Sequence, residues 1–173
     1  MRIALVLPGA LALALATGCT RASRSTPVVA PRPSRPADTS ARIERAVHNL
    51  LNAHRGSRKL PPLTLDPRIS DVARGHSVAM AAGKVPFGHD GFTERAAVLR
   101  DGRPNRVAEN VAHDLGHPDP ARQIVQAWVQ SPEHRGNIEG TYDRTGIGAA
   151  RNAAGDVYVT QIFVGLAQPR QCR

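Results

Sequence analysis

Trp128-Val129-Gln130-Ser131-Pro132-Glu133-His134-Arg135-Gly136-Asn137-Ile138 is the stretch whose reading decides the fold. It holds the end of one helix, a break, and the start of another. Upstream, Asp119-Pro120 is a helix start, an N-cap followed by a proline at the first helical position. Ala121, Ile124, Val125 and Trp128 then repeat at the spacing of one buried helical stripe. Trp128 reads as a core anchor whose indole N–H needs an acceptor. Ser131-Pro132 repeats the start signal, so Ser131 is read as an N-cap rather than a nucleophile. The short helix that follows carries His134 between two helix breakers, Pro132 and Gly136.

Downstream the pattern changes period. Residues 146–151 and 157–164 read as a hairpin turned at Asn152-Ala153-Ala154-Gly155-Asp156. The second strand is apolar on both faces, which predicts a central strand covered on both sides. Its polar members, Thr160 and Gln161, are expected to face a cleft. Upstream, a strand is expected over residues 107–113 and a helix over 93–100, stopped by Gly102. Asp66-Pro67 caps a helix that turns Ile69, Val72, Ala73, His76 and Met80 inward and stops at Gly83. The first helix starts near Arg42, capped by Thr39 or Ser40, with Ile43, Ala46, Val47, Leu50 and Leu51 inward and Gly56 at its end. Leu60 to Asp66 is read as an extended link. Helices early and strands late predict an α+β fold with a sheet between helical layers.

The chain has 173 residues and a formal charge of +9. It is long enough for one domain with a real core, not two, and is expected to act as a monomer. Aromatic residues make up only 3%, so the core rests on Ala, Val, Leu and Ile. The positive charge is spread along the chain, without the interleaved aromatics of a single-strand nucleic-acid binder, and no nucleic-acid partner is expected. Attraction to an anionic envelope surface explains the charge more simply.

Residues 1–18 read as a secretory leader: Met1-Arg2, an apolar run over 3–17, then Ala16-Thr17-Gly18-Cys19. A small residue before a Cys resembles a lipoprotein signal, which would make Cys19 the lipidated, membrane-anchored N-terminus. Cleavage after Ala14-Leu15-Ala16 and plain secretion is the alternative. Both place the protein outside the cytoplasm. Residues 19–41, rich in Arg, Ser, Thr, Ala and Pro, are expected to form a disordered tether. The domain then spans 42–168, with a 169–173 tail. Two cysteines, Cys19 and Cys172, exclude a disulfide-stapled core and a cysteine zinc module.

Three patches expose chemistry: Phe87-Gly88-His89-Asp90-Gly91-Phe92, Ala108-Glu109-Asn110-Val111 and the stretch around His134. Two imidazoles and a carboxylate that converge can bind a divalent metal or run acid–base work. His89 and His134 are the candidate ligands of Zn²⁺ or a similar ion, with water completing an open site. Glu109 is the candidate to orient a histidine or act on a bound water, with Glu133 as a second carboxylate. The alternative is a hydrogen-bonded network that only holds loops together. Arg135 is expected to pair with Glu109 or an anionic ligand, and Asn110 and Asn137 to bond the backbone of their loops. His76 reads as a core histidine, His48 and His54 as exposed or capping. His113 and His117 fall in a loop.

The order of Ala53-His54-Arg55, Leu60-Pro61-Pro62-Leu63, His76-Ser77, Phe87-Gly88-His89, Glu109-Asn110, Trp128, Ser131-Pro132-Glu133-His134-Arg135-Gly136-Asn137-Ile138, Gly146-Ile147-Gly148 and Thr160-Gln161-Ile162-Phe163 resembles bacterial CAP-domain proteins. These are the SCP-like relatives of cysteine-rich secretory proteins, antigen 5 and pathogenesis-related 1. The resemblance covers roughly residues 42–166 and implies a three-layer α-β-α sandwich. It also implies a cleft of two His and two acidic residues, in which His89, Glu109 and His134 match three positions. The second acidic position, three residues after the fourth-helix Trp, is Ser131 here, and Glu133 stands where short bacterial members have Gly. Ser131, Glu133, Asn110 and Arg135 complete the candidate cleft. Three functions are expected from this pattern: a binding module for a metal or a small lipid, glycan or cell-wall ligand, a metal-assisted hydrolase or protease, or a surface interaction protein with a structural cleft. No nucleophile–base–orienter set is evident, which places turnover behind binding.

Overall fold

The structure, a computed structural model, describes residues 36–100 and 106–165. The leader, Cys19, Gly102, Cys172 and the tail lie outside the described residues. The elements run α1 (Pro36–Ser57), β1 (Thr64–Leu65), α2 (Pro67–Ala81), α3 (Phe92–Arg100), β2 (Arg106–Asp114), α4 (Pro120–Gln130), α5 (Pro132–Ile138), β3 (Arg144–Arg151) and β4 (Val157–Gly165). They form one sheet of order β1-β3-β4-β2. β1 runs parallel to β3, and β3–β4 and β4–β2 are antiparallel.

The two faces of β4 are covered by different helices, as its sequence predicted. Val157, Val159 and Phe163 pack with Ile43, Val47 and Leu51 of α1 and Ile124, Val125 and Trp128 of α4. Ile162 and Val164 pack with Ile69 and Ala73 of α2 and Leu99 of α3. The result is an α+β, helix–sheet–helix arrangement. Thr160 and Gln161 are buried within it, not turned to a cleft. Thr160 meets the Ser77 hydroxyl at 2.9 Å, and Gln161 donates to Thr145 Oγ1 at 3.1 Å. Two buried faces leave no open side for a polar residue of a central strand.

α2 lies unusually deep on β3. A Cβ at Gly146 would fall 2.2 Å from the backbone of Ile69 and Ser70, and one at Gly148 would fall 2.1 Å from the Arg74 nitrogen. Only glycine admits that approach. Ser77 then reaches β3 and donates to the Gly148 carbonyl at 2.9 Å.

Both edges of the sheet are closed by side chains, which removes the usual hazard of open ladders. β1 is only two residues long, so β3 is uncovered beyond it. Ser70 Oγ accepts from Ile147 N at 3.3 Å, and Glu44 Oε1 accepts from Ala149 N at 3.0 Å. Arg74 holds that Glu44 carboxylate through Nε and Nη2, both at 2.9 Å. On the other edge, Trp128 Nε1 donates to the Val111 carbonyl at 3.2 Å, and Asn137 Nδ2 to the Glu109 carbonyl at 3.3 Å. The indole partner that the sequence demanded is therefore a strand carbonyl.

Local signals place most element ends. Asp66 accepts from Arg68 N and Ile69 N, and Asp119 accepts from Arg122 N. Ser131 occupies the N-cap position of α5 but makes no side-chain cap bond, which corrects its reading as a working cap. Pro132 at the first position already removes one of the orphan N–H groups. α1 begins at Pro36 rather than near Arg42, so Thr39 and Ser40 lie inside it. The extended link contains the short strand β1, which exists through its pairing with β3.

The Arg55 side chain, 1% exposed, ends the inward stripe of α1. It donates to the carbonyls of Pro61 at 2.8 Å, Ile138 at 2.6 Å and Gly140 at 3.0 Å. The end of α5 is thereby tied to α1. His48 and His54 are also tertiary ties, not exposed caps. His48 Nε2 meets the Leu63 carbonyl at 3.0 Å, and His54 Nε2 meets Glu139 at 2.8 Å.

The glycine seam yields a direct expectation. Gly148→Ala must push the α2 backbone away, an overpacking cost of about 1–3 kcal/mol or more. Chemical denaturation should show a lower midpoint for Gly148→Ala and little change for Gly136→Ala, where a Cβ meets nothing within 4 Å.

Candidate functional site

The site begins with how His89 is held. Gly88 adopts φ +150°, a left-handed conformation that favours glycine, and lets the chain turn after α2. His76, buried on the inward face of α2, donates from Nε2 to the Gly88 carbonyl at 2.9 Å. The core histidine expected from the sequence thus fixes the loop that presents His89. A turn closed by Phe92 N and the His89 carbonyl, 2.9 Å, leads into α3.

Glu109 sits on β2, in register with Ile162 and so on the α2–α3 face of the sheet. Its side chain is 1% exposed. Both carboxylate oxygens are taken. Arg95 of α3 grips them as a fork, Nε to Oε2 at 2.9 Å and Nη2 to Oε1 at 2.8 Å. His89 Nδ1 approaches Oε1 at 3.0 Å. Arg95 also donates to the Asp90 carbonyl at 2.7 Å, which binds the His89 loop to the same guanidinium. Such a buried pair is costly to break. Removing one partner leaves an uncompensated charge worth about 3–5 kcal/mol.

Arg135 was expected to pair with Glu109 or with an anionic ligand. Glu109 is taken by Arg95 instead, and Arg135 donates to the Val129 carbonyl at 3.0 Å, across the α4–α5 junction. Arg95 was not anticipated, although the sequence holds its signal. Phe92, Arg95, Ala96 and Leu99 form one inward stripe of α3, and an arginine on such a stripe needs a carboxylate.

His134 comes from the other side of β2. Asn110 Nδ2 donates to the His134 carbonyl at 3.2 Å, and Asn137 Nδ2 donates to Asn110 Oδ1 at 2.9 Å. Asn110 and Asn137 therefore stitch α5 to β2 instead of serving their own loops. Burial depresses the His134 imidazole below its ordinary range, and the neighbouring His89 charge depresses it further. Glu133, exposed in the first turn of α5, pulls the other way. The two histidines thus influence each other electrostatically, and the balance favours the neutral form of His134.

His89, its side chain 53% exposed, has Nδ1 committed to Glu109 and leaves Nε2 for a ligand. A carboxylate behind an imidazole is the arrangement that orients a metal-binding histidine. A divalent cation here would rest on His89 and His134, with Glu109 as orienter and not as ligand. Among the described residues, no three His, Cys, Asp or Glu side chains are grouped to hold a metal ion. The donor set fits an open, exchangeable cation and does not fit a closed structural site. The other histidines do not join it. His113 stacks on Tyr158, with centroids 4.3 Å apart, and His117 Nδ1 lies 2.7 Å from Asp114.

The model of CAP, the cysteine-rich secretory protein family, matches residues 48–163. The chain belongs to this family. The matched span covers every residue of the CAP site described above. The Bacillus subtilis (strain 168) protein YkwD, itself uncharacterized, is 33% identical over 136 residues, covering 76% of this chain and 50% of that protein. The CAP chain thus spans about half the length of the curated relative it matches. An extracellular SCP-domain protein from Bacillus anthracis str. Ames, known from a crystal structure, superposes with a TM-score of 0.61 at 25% identity, covering 82% of this chain and 45% of that one. A cysteine-rich secretory protein from Staphylococcus aureus subsp. aureus Mu50 gives 0.59 at 20% identity over 76% and 40%, and shares the fold.

The electrostatics of this CAP cleft can be checked by NMR titration. His134 should titrate below the ordinary histidine value of about 6.5. His89→Ala should raise it, because a competing positive charge is gone, and Glu133→Gln should lower it further. A lowered folded-state value means stability that is full above the unfolded pKa and is lost as pH falls through that window. His134→Ala should therefore flatten the acid limb of the stability curve below about pH 6.5.

Proposed function

We propose that this CAP protein is an extracytoplasmic, lipid-anchored binding module whose cleft takes a divalent cation or a small polar ligand through His89 and His134. The observation that carries this reading is the commitment of Glu109. Its oxygens already accept three hydrogen bonds from Arg95 and His89, and a carboxylate so held against a guanidinium is a poor general base for substrate water. Glu109 instead holds His89 with Nε2 outward. Glu133 is exposed and near His134, and it is the residue through which a hydrolase would have to work.

The location rests on the leader and on the relative from Bacillus anthracis, which is extracellular. Cys19 would carry the lipid and residues beyond it the spacer. Among the described residues no helix is long and apolar enough to cross a membrane. The protein acts on this reading as a monomer at an anionic envelope surface, with no nucleic-acid partner.

Calorimetric titration of the full chain with ZnCl₂ tests the cleft. One weak site is expected, lost in His89→Ala and in His134→Ala. Glu109→Gln should weaken it about 10–100-fold, as removal of an orienting carboxylate does. Peptide and ester libraries should show no turnover with or without Zn²⁺. Turnover abolished by Glu133→Gln would replace the binding reading with a hydrolase. For the anchor, Cys19→Ser should release the protein from the membrane fraction to the medium. Unchanged fractionation would rule the lipid out.

A further inference from the structure

The chain has only six aromatic residues, three Phe, two Tyr and one Trp. Burial would use each of them best, and Trp128 and Phe163 are buried. Phe87 is not: it is 54% exposed. Its exposure is set by the backbone, because the next residue, Gly88, is pinned by His76. Phe87 leans on His113, with centroids 5.8 Å apart and planes at 46°. His113 in turn lies flat on Tyr158, at 4.3 Å and 17°.

A polar partner accompanies the rings. Asp156 Oδ2 lies 3.7 Å from His113 Nε2. The hairpin turn holds that carboxylate in place, through Asn152 Nδ2 to Asp156 Oδ2 at 2.8 Å and Asp156 N to Asn152 Oδ1 at 2.9 Å. The cluster combines an exposed ring, supported from behind by two more, with a fixed carboxylate at its rim.

We infer that Phe87, His113, Tyr158 and Asp156 form a saccharide-stacking subsite. A pyranose ring has one apolar C–H face and a rim of hydroxyls. The face packs on an aromatic ring, and the hydroxyls donate to a carboxylate in the position of Asp156. A cage for a quaternary ammonium group would need open ring faces on several sides. Here His113 and Tyr158 cover each other, so the free surface is a platform and not a cage. An acyl chain would need an enclosed groove, and the fixed carboxylate at the rim disfavours it.

The placement extends the cleft. His113 is in register with Tyr158 and Glu109 with Ile162, so both β2 residues share one face of the sheet. Four residues of strand separate them by roughly 13 Å. The loop 87–89 bridges that interval, with Phe87 toward the platform and His89 toward Glu109. A short oligosaccharide on Phe87 would therefore run along β2 toward the imidazole pair. The subsite does not depend on the cleft's binding a cation.

Saturation-transfer NMR on the full chain in detergent, with triacetylchitotriose and maltotriose as probes, tests it. Transfer from aromatic protons to the sugar C–H protons is expected. Phe87→Ala should weaken binding about tenfold, the scale of one lost aromatic contact with its buried area, and Phe87→Tyr should retain it. Asp156→Asn should weaken it independently, which keeps the test open if Phe87→Ala fails to fold. No transfer to either sugar, equal affinity in Phe87→Ala and Asp156→Asn to that of the wild type, or displacement of the sugar by equimolar choline would each overturn the assignment.

Discussion

The depth at which α2 lies on β3 is the constraint on which the rest of this molecule depends. Gly146 and Gly148 carry no Cβ, so the helix backbone comes to within contact of the strand itself. At that depth Ser77 reaches Gly148 and Thr160, and His76, its neighbour, reaches the Gly88 carbonyl. Gly88 then sets the height of the loop that holds Phe87 and His89. A larger residue in the seam would lift α2 and move the whole loop with it. A packing requirement in the core thus becomes a positional requirement at the surface.

The same economy governs the edges of the sheet. A four-stranded sheet whose first strand has two residues cannot satisfy its own ladder. Glu44, Ser70, Trp128 and Asn137 supply the missing partners. Two of these also serve the cleft. Asn137 ties α5, and with it His134, to the strand that bears Glu109. Trp128 anchors α4, which hands the chain to α5. The placing of α5 beside β2 is accordingly an outgrowth of edge closure.

Much of this was legible in the sequence because it is local. Asp66-Pro67 and Asp119-Pro120 state their helix starts in adjacent residues, and the hairpin turn at 152–156 does the same for β3 and β4. The apolar character of both faces of β4 foretold its central place. Other features escaped because their partners are remote. β1 has no periodicity of its own and exists only beside β3. Glu109 meets Arg95 and not Arg135, a choice made by the crossing of α3 over β2. Both Arg95 and Arg55 nevertheless stand on inward helical stripes, and a guanidinium so placed requires buried acceptors. That Glu109 would orient a histidine was expected from its patch, and it holds His89. That Arg95 would grip both of its oxygens was not.

The chemistry of the cleft turns on the state of His89. With Nδ1–H donated to a carboxylate that Arg95 holds in place, its Nε2 is left without a protein partner among the described hydrogen bonds and can serve the proposed ligand. Nitrogen-15 NMR of the imidazole reports this tautomer directly. The neutral imidazole of the wild-type protein should show a protonated Nδ1 and a bare Nε2, with the preference lost in Glu109→Gln. A wild-type His89 protonated at Nε2, or a tautomer indifferent to Glu109, would contradict the role assigned to this pair.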